Sequence, residues 1–356
     1  MSQGLRRLAP QLLTLTALVA LVSIAFPGFL SVDVVGGRFV GSAVDVLKRG
    51  APVALLSVGM TLVIATRGID LSVGAVMAIA GAVAAWAITG GHGVAPAVAL
   101  ALLAGLACGL WNGVLVAVLG IQPIVATLIL MVAGRGIAQL VTQGAILTFN
   151  NEGLAWFGAG TALSLPTPVV IWVLAGIVAG LVVRRTALGL LLEAVGVNPR
   201  ASRLAGINTR VLLIAVYMIS GLCAALAGVI AAADIRGADA NNAGLWLELD
   251  AILAVVIGGT SLLGGRFSLL ASLIGAMTIQ AINTGILLAG FPPEFNLVIK
   301  AGIVLVILVL QSPRIGAVLA AARTRREAAL APARADDPAR VTPVPAAPSP
   351  VVEGPR

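Results

Sequence analysis

Ten apolar stretches follow one another along the chain, at residues 8–30, 51–66, 71–89, 94–119, 123–141, 169–183, 211–232, 247–257, 267–289 and 297–310. A helix needs about 20 mostly apolar residues to span a bilayer. Backbone groups in lipid must find their hydrogen bonds within the segment, so such runs are read as helices. The series excludes a water-exposed globule. Of the 356 residues 60% are hydrophobic and only 10% charged, where a soluble domain carries about 25% charged residues. The expected fold class is all-α integral membrane, with about ten transmembrane helices.

Arg6 and Arg7 precede the first run, as they would in a secretory leader. The run is too long for that and further spans follow it, so it is read as a retained helix. The net charge of +8 is not that of a nucleic-acid binder, because basic residues sit between the runs and aromatic residues do not interleave them. With ten spans and the N-terminus inside, thirteen Lys and Arg fall on the inner side and four (Arg38, Lys48, Arg49 and Arg236) on the outer. That asymmetry predicts both termini in the cytoplasm. Arg135 and Lys300, inside the outer halves of their spans, are expected to snorkel outward.

A permease domain is expected at 1–313. Residues 314–356, rich in Pro and Ala, are expected to form a disordered cytoplasmic tail. A faint internal repeat accompanies the spans: Asn112-Gly113 is echoed by Asn283-Thr284-Gly285, 171 residues on, and Asp70 by Asp250, 180 residues on. Each pair joins helices five apart in order, so the halves run oppositely, an inverted repeat with the pathway at the repeat interface.

Catalytic chemistry has no residues to work with. The one histidine, His92, lies in a glycine-rich turn between spans, which rules out histidine triads and metal clusters. Neither Lys48 nor Lys300 follows a glycine, so no phosphate-binding loop is present. Cys108 and Cys223 lie in apolar runs, where a thiol packs like alanine. No catalytic residue, metal or cofactor is expected, and any ATP hydrolysis belongs to another chain.

Between the sixth and seventh runs, residues 191–207 read LLEAVGVNPRASRLAGI. Asn198-Pro199 is a helix-start signature. The short helix it opens has a small apolar face at Ala201, Leu204 and Ala205 beside two arginines; it reads either as a docking helix or as an ordinary basic loop. Asp70 and Asp250 read as helix caps or as groups exposed to a pathway. Gly258, Gly259, Gly264 and Gly265 predict close packing and a tight inner turn.

Glu193-Ala194-Val195-Gly196 with Asn198 and Ala205-Gly206 resembles the coupling segment of sugar ABC-transporter permeases of the ribose/galactoside type. Gly68-Ile69-Asp70-Leu71-Ser72-Val73-Gly74 is similar to one signature of that family, and 247–265 to a second. Within the family, 235–246, Thr148-Phe149-Asn150 and Gly290-Phe291-Pro292-Pro293-Glu294 look most like the permeases of galactofuranose importers. The resemblance implies a multi-pass subunit of the bacterial inner membrane. Its implied partners are a sugar-type ATPase, a second permease (homo- or heterodimer) and a periplasmic sugar-binding protein. It assigns ATPase coupling to Glu193, Ala194, Gly196, Asn198, Ala205 and Gly206. A neutral polyol needs uncharged donors and acceptors, which makes Asn112, Thr127, Gln280 and Asn283, with Asp70 and Asp250, the pathway candidates. Such groups also glue helices together. The outer stretch 234–246 reads as a binding-protein contact or a solvated loop. The alternative function, an ion-gradient-driven secondary transporter, is set aside because no acidic pair is expected in the membrane interior.

Overall fold

The computed structural model describes residues 3–310, so the expected tail lies outside the described residues. Helix α1 (Gln3–Ala25) stops short of residue 30, because Pro27 and Gly28 (φ 97°) turn the chain. An antiparallel ribbon follows, β1 (Asp33–Val35) against β2 (Arg38–Val40). Helix α2 (Ser42–Arg49) meets α3 (Ala51–Ala65) at a 42° bend. Then come α4 (Val73–Thr89), α5 (Val94–Ala117) and α6 (Pro123–Thr142). Short elements β3 (Leu147–Thr148), α7 (Glu152–Ala159), β4 (Thr161–Ala162) and β5 (Leu165–Pro166) lead to α8 (Thr167–Arg185). The chain continues through α9 (Leu188–Val197), α10 (Pro199–Leu204), α11 (Thr209–Asp234) and β6 (Gly237–Ala238), and closes with α12 (Leu247–Ile257), α13 (Leu269–Leu288) and α14 (Pro293–Leu310).

Each of the ten apolar runs holds a helix. Among the described residues, α1, α5, α6, α8, α11 and α13 are each long and apolar enough to cross a membrane, and the bent α2–α3 pair makes a seventh. Helix α4 has 17 residues and α12 only 11.

Helix α3 is apolar on all sides, which suits only an interior position; every one of its residues except Pro52 is buried. Helix α11 packs on α3, α4 and α5. The α5–α11 contact is set by Gly105, Gly109 and Gly113, one turn apart. A Cβ at Gly113 would stand 2.8 Å from the Ile214 Cα, and one at Gly109 2.7 Å from the Met218 Cα. Small residues at this spacing let two backbones touch. A second apolar cluster joins α3, α12, α13 and α14 through Ile257, Ile279, Ile282 and Val304.

One end of the bundle is closed by short elements. Strand β3 pairs with β6, bringing Leu147 opposite Ala238. Arg236 donates to both Glu152 oxygens at 2.7 and 3.0 Å, and Lys48 pairs with Asp234 at 2.8 Å. The stretch 234–246 is therefore knitted to three other segments. Arg135 reaches from α6 to this end of the bundle, where its guanidinium donates to the Ala240 and Ala243 carbonyls and holds this stretch over α6.

Candidate functional site

At the other end, three segments converge on Arg67. This residue follows α3 with φ 67°, a conformation uncommon outside glycine. Its guanidinium donates to the Gly196 and Val197 carbonyls at the C-terminus of α9, where a cation also suits the helix dipole. Gly196 lies flat against the Ala65 carbonyl and the Gly265 amide, with no room for a side chain. The Gly265 N–H donates to the Ala65 carbonyl at 2.9 Å. Gly259, Gly264 and Gly265 all have positive φ, forming the expected tight turn. The ends of α3 and α9 and the α12–α13 loop thus form one hub.

From this hub α10 projects. The Asn198 Oδ1 accepts from the Arg200 and Ala201 N–H groups at 3.1 Å each, and Pro199 opens the first turn. Leu204 is 91% exposed, and Ala205 and Gly206 are exposed beside it. Ala194 is half-buried. Glu193 is also half-buried, but it lines a groove between α8 and α13 rather than the exposed face of α10.

The six pathway candidates fall into two sets of three, of which only the first is gathered by hydrogen bonds around one segment, residues 69–72. In the first, Asp70 accepts from the Ser72 N–H (3.1 Å), the Ser72 hydroxyl (2.6 Å) and the Ser220 hydroxyl of α11 (2.8 Å). Asn112 of α5 donates to the Ser72 hydroxyl at 2.8 Å. Thr127 of α6 bridges the Leu71 N–H and the Ile69 carbonyl, 3.2 Å from each. Asp70 is therefore not a cap of α4, whose N-cap Ser72 makes no side-chain cap bond; it braces the turn before the helix and ties that turn to α11. The Asn112 Oδ1 and Tyr217 hydroxyl are buried here without a hydrogen-bond partner. Replacing Ser220 with Ala leaves a buried carboxylate oxygen without its donor. The expected cost is about 1–3 kcal/mol, read as a lower melting temperature in detergent.

The second group corrects two expectations. Asp250 is not a cap: both its oxygens accept from Lys300 Nζ, at 2.8 and 3.0 Å. Lys300 does not snorkel; it is 8% exposed, drawn inward by that carboxylate. Gln280 donates to Thr284 one turn on in α13, and the Asn283 Oδ1 is unpartnered. Glu248, two residues before Asp250, is also buried. The interior thus does hold neighbouring acids, contrary to expectation, although one is neutralised by Lys300.

Sequence reasoning missed Arg67, Ser72, Ser220, Glu248 and the Asp250–Lys300 pair. Lys300 was the available signal, since an ionisable group within an apolar run calls for a named partner. Ser220 gave none, because a serine in a helix of small residues reads as packing. In the stretch 234–246, the Asn242 side-chain amide, aided by the backbone N–H groups of Asn242 and Asn241, holds the Asp239 carboxyl below its usual range.

Residues 42–308 match a family described as "Branched-chain amino acid transport system / permease component". The chain is 60% identical to the galactofuranose transporter permease protein YtfT of Escherichia coli K12, over 89% of this chain and 93% of that one. It is 46% identical to the fructose import permease protein FruF of Bifidobacterium longum, over 78% and 80%. With the ribose import permease protein RbsC of Escherichia coli K12 it shares 38% identity over 85% and 93%. No solved structure matches. A bundle of apolar helices closed at one end, with a hub and a projecting short helix at the other, is thus joined to a sequence match across most of its length, and the chain belongs to this family of transport-system permease components.

Proposed function

We propose that the chain is the permease subunit of an ATP-driven importer that moves a monosaccharide, galactofuranose, across the bacterial inner membrane. The observation that carries this reading is the 60% identity, spread over 89% of the chain, to a galactofuranose transporter permease. The test is uptake by vesicles holding the assembled importer. Galactofuranose should be taken up well ahead of ribose and galactopyranose, with ATP required and ionophores without effect. Equal uptake of the three sugars removes the substrate assignment; uptake abolished by ionophores favours the ion-driven carrier.

In this reading ten helices span the membrane in two inverted halves, residues 1–313 form the permease domain and 314–356 a cytoplasmic tail. Both termini lie inside, because Arg67 and the arginines of α8 and α10 would share the cytoplasmic side. An ATPase subunit docks on α10 and drives the hub through Gly196. Glu193, Ala194 and Asn198 lie at the membrane end of that coupling segment; Ala205 and Gly206 lie on its docking face. Changing exposed Leu204 to Asp should abolish co-purification with the ATPase while leaving the melting temperature of the permease unchanged. Retained co-purification would sink the docking assignment.

A second permease completes the pathway. The apolar stripe Val125, Ile129, Val132 and Leu140 on α6 is exposed, and Gly136 within it meets no other residue, which supports that face as the contact. Asp70, Asn112, Thr127, Asp250, Gln280 and Asn283 remain the proposed pathway residues, and a periplasmic binding protein delivers the sugar to the knitted end around 234–246.

A further inference from the structure

Helix α8 carries a column of residues one turn apart: Trp172, Gly176, Gly180 and Arg184. The column is the floor of a groove of about 680 Å³, walled by Leu273 of α13 and, at its inner end, by Glu193 of α9. From Trp172 to Arg184 the groove runs about 18 Å at 1.5 Å per residue. That matches the depth of one leaflet of a hydrocarbon core about 30 Å thick. The two glycines leave the floor open: a Cβ at Gly180 would meet nothing within 4 Å, and one at Gly176 only the flexible end of Leu273.

The charges lie at one end only. Arg184 and Glu193 both line the groove there, and Arg185 and Arg266 flank it in sequence. Among the described residues none of the four makes a side-chain hydrogen bond or ion pair. A cation and an anion at the mouth of an apolar slot of leaflet depth are the complement of a zwitterionic lipid with a primary ammonium. We propose that this groove binds phosphatidylethanolamine of the inner leaflet. One acyl chain lies along Gly176 and Gly180, the phosphate meets Arg184, and the ammonium donates to the Glu193 carboxylate. Phosphatidylcholine cannot make the last contact, since its quaternary nitrogen has no hydrogen to donate. Phosphatidylglycerol has no cation to offer Glu193.

Native mass spectrometry of the full chain, purified in mild detergent with equimolar phosphatidylethanolamine, phosphatidylcholine and phosphatidylglycerol, tests this. The wild type should retain one phosphatidylethanolamine in preference to either competitor by about fivefold, the effect of one interfacial charge contact. Glu193→Gln should erase the preference over phosphatidylcholine. Gly180→Leu should displace lipid of all three kinds from that site while the chain keeps its melting temperature, which separates a filled groove from a failed fold. Equal retention of the three lipids by the wild type, a preference for phosphatidylglycerol, or a preference that survives Glu193→Gln would each overturn the assignment.

Discussion

Changing Gly196 to Val is expected to lower stability by about 3 kcal/mol, at the upper end of what overpacking costs, and to uncouple transport in whatever folds. The reason is geometric. Gly196 touches the Ala65 carbonyl and the Gly265 amide, and these two groups are themselves joined by a hydrogen bond of 2.9 Å. Two isopropyl methyls cannot enter without parting them and withdrawing the Gly196 and Val197 carbonyls from Arg67. A flexible side chain can swing aside, but here the obstacle is backbone on both sides. Gly302→Ala is the matched comparison, a glycine in helix α14 with open space around it; it should be neutral or gain up to about 1 kcal/mol from helix propensity. Thermal melts of the two variants in the same detergent, with ATP-dependent uptake measured beside them, give the answer. Equal melting temperatures would mean that the hub is not under this constraint.

Replacing Lys300 with Met is expected to cost about 3–5 kcal/mol, because it leaves Asp250 charged, buried and unpaired. Restoring neutrality by adding Asp250→Asn should recover most of that loss, since an apolar or neutral polar pair of similar volume replaces a buried ion pair at little cost. The signature is therefore the difference between single and double variants in melting temperature. A Lys300→Met chain that melts like the wild type would show that the pair is not formed in the membrane.

The apolar runs marked every long helix because lipid leaves the chain few other ways to satisfy its backbone. Asn198-Pro199 marked α10 for an equally local reason, a side-chain cap followed by a residue already set for the first turn. What the sequence could not show was the pairing of distant groups. Asp250 lies 50 residues from Lys300 and Asp70 150 residues from Ser220, and neither contact leaves a local pattern. The coupling residues were legible as a motif but not as a geometry. Gly196 faces backbone and Glu193 faces a groove, and the two are only three positions apart on one helix. The early end of α1 was legible in Pro27-Gly28, yet a hydrophobic window runs straight over such a turn. Run length likewise hid that α12 has only 11 residues.

The glycine seam between α5 and α11 carries a mechanical consequence. Contacts between side chains can be exchanged by changing rotamers, whereas contacts between backbones have no torsions to spend. Helices that meet backbone to backbone along Gly105, Gly109 and Gly113 slide or part only by losing the whole seam at once. They therefore behave as one stiff plate, and whatever motion accompanies a transport cycle must be taken up at the plate's edges, where side chains make the contacts.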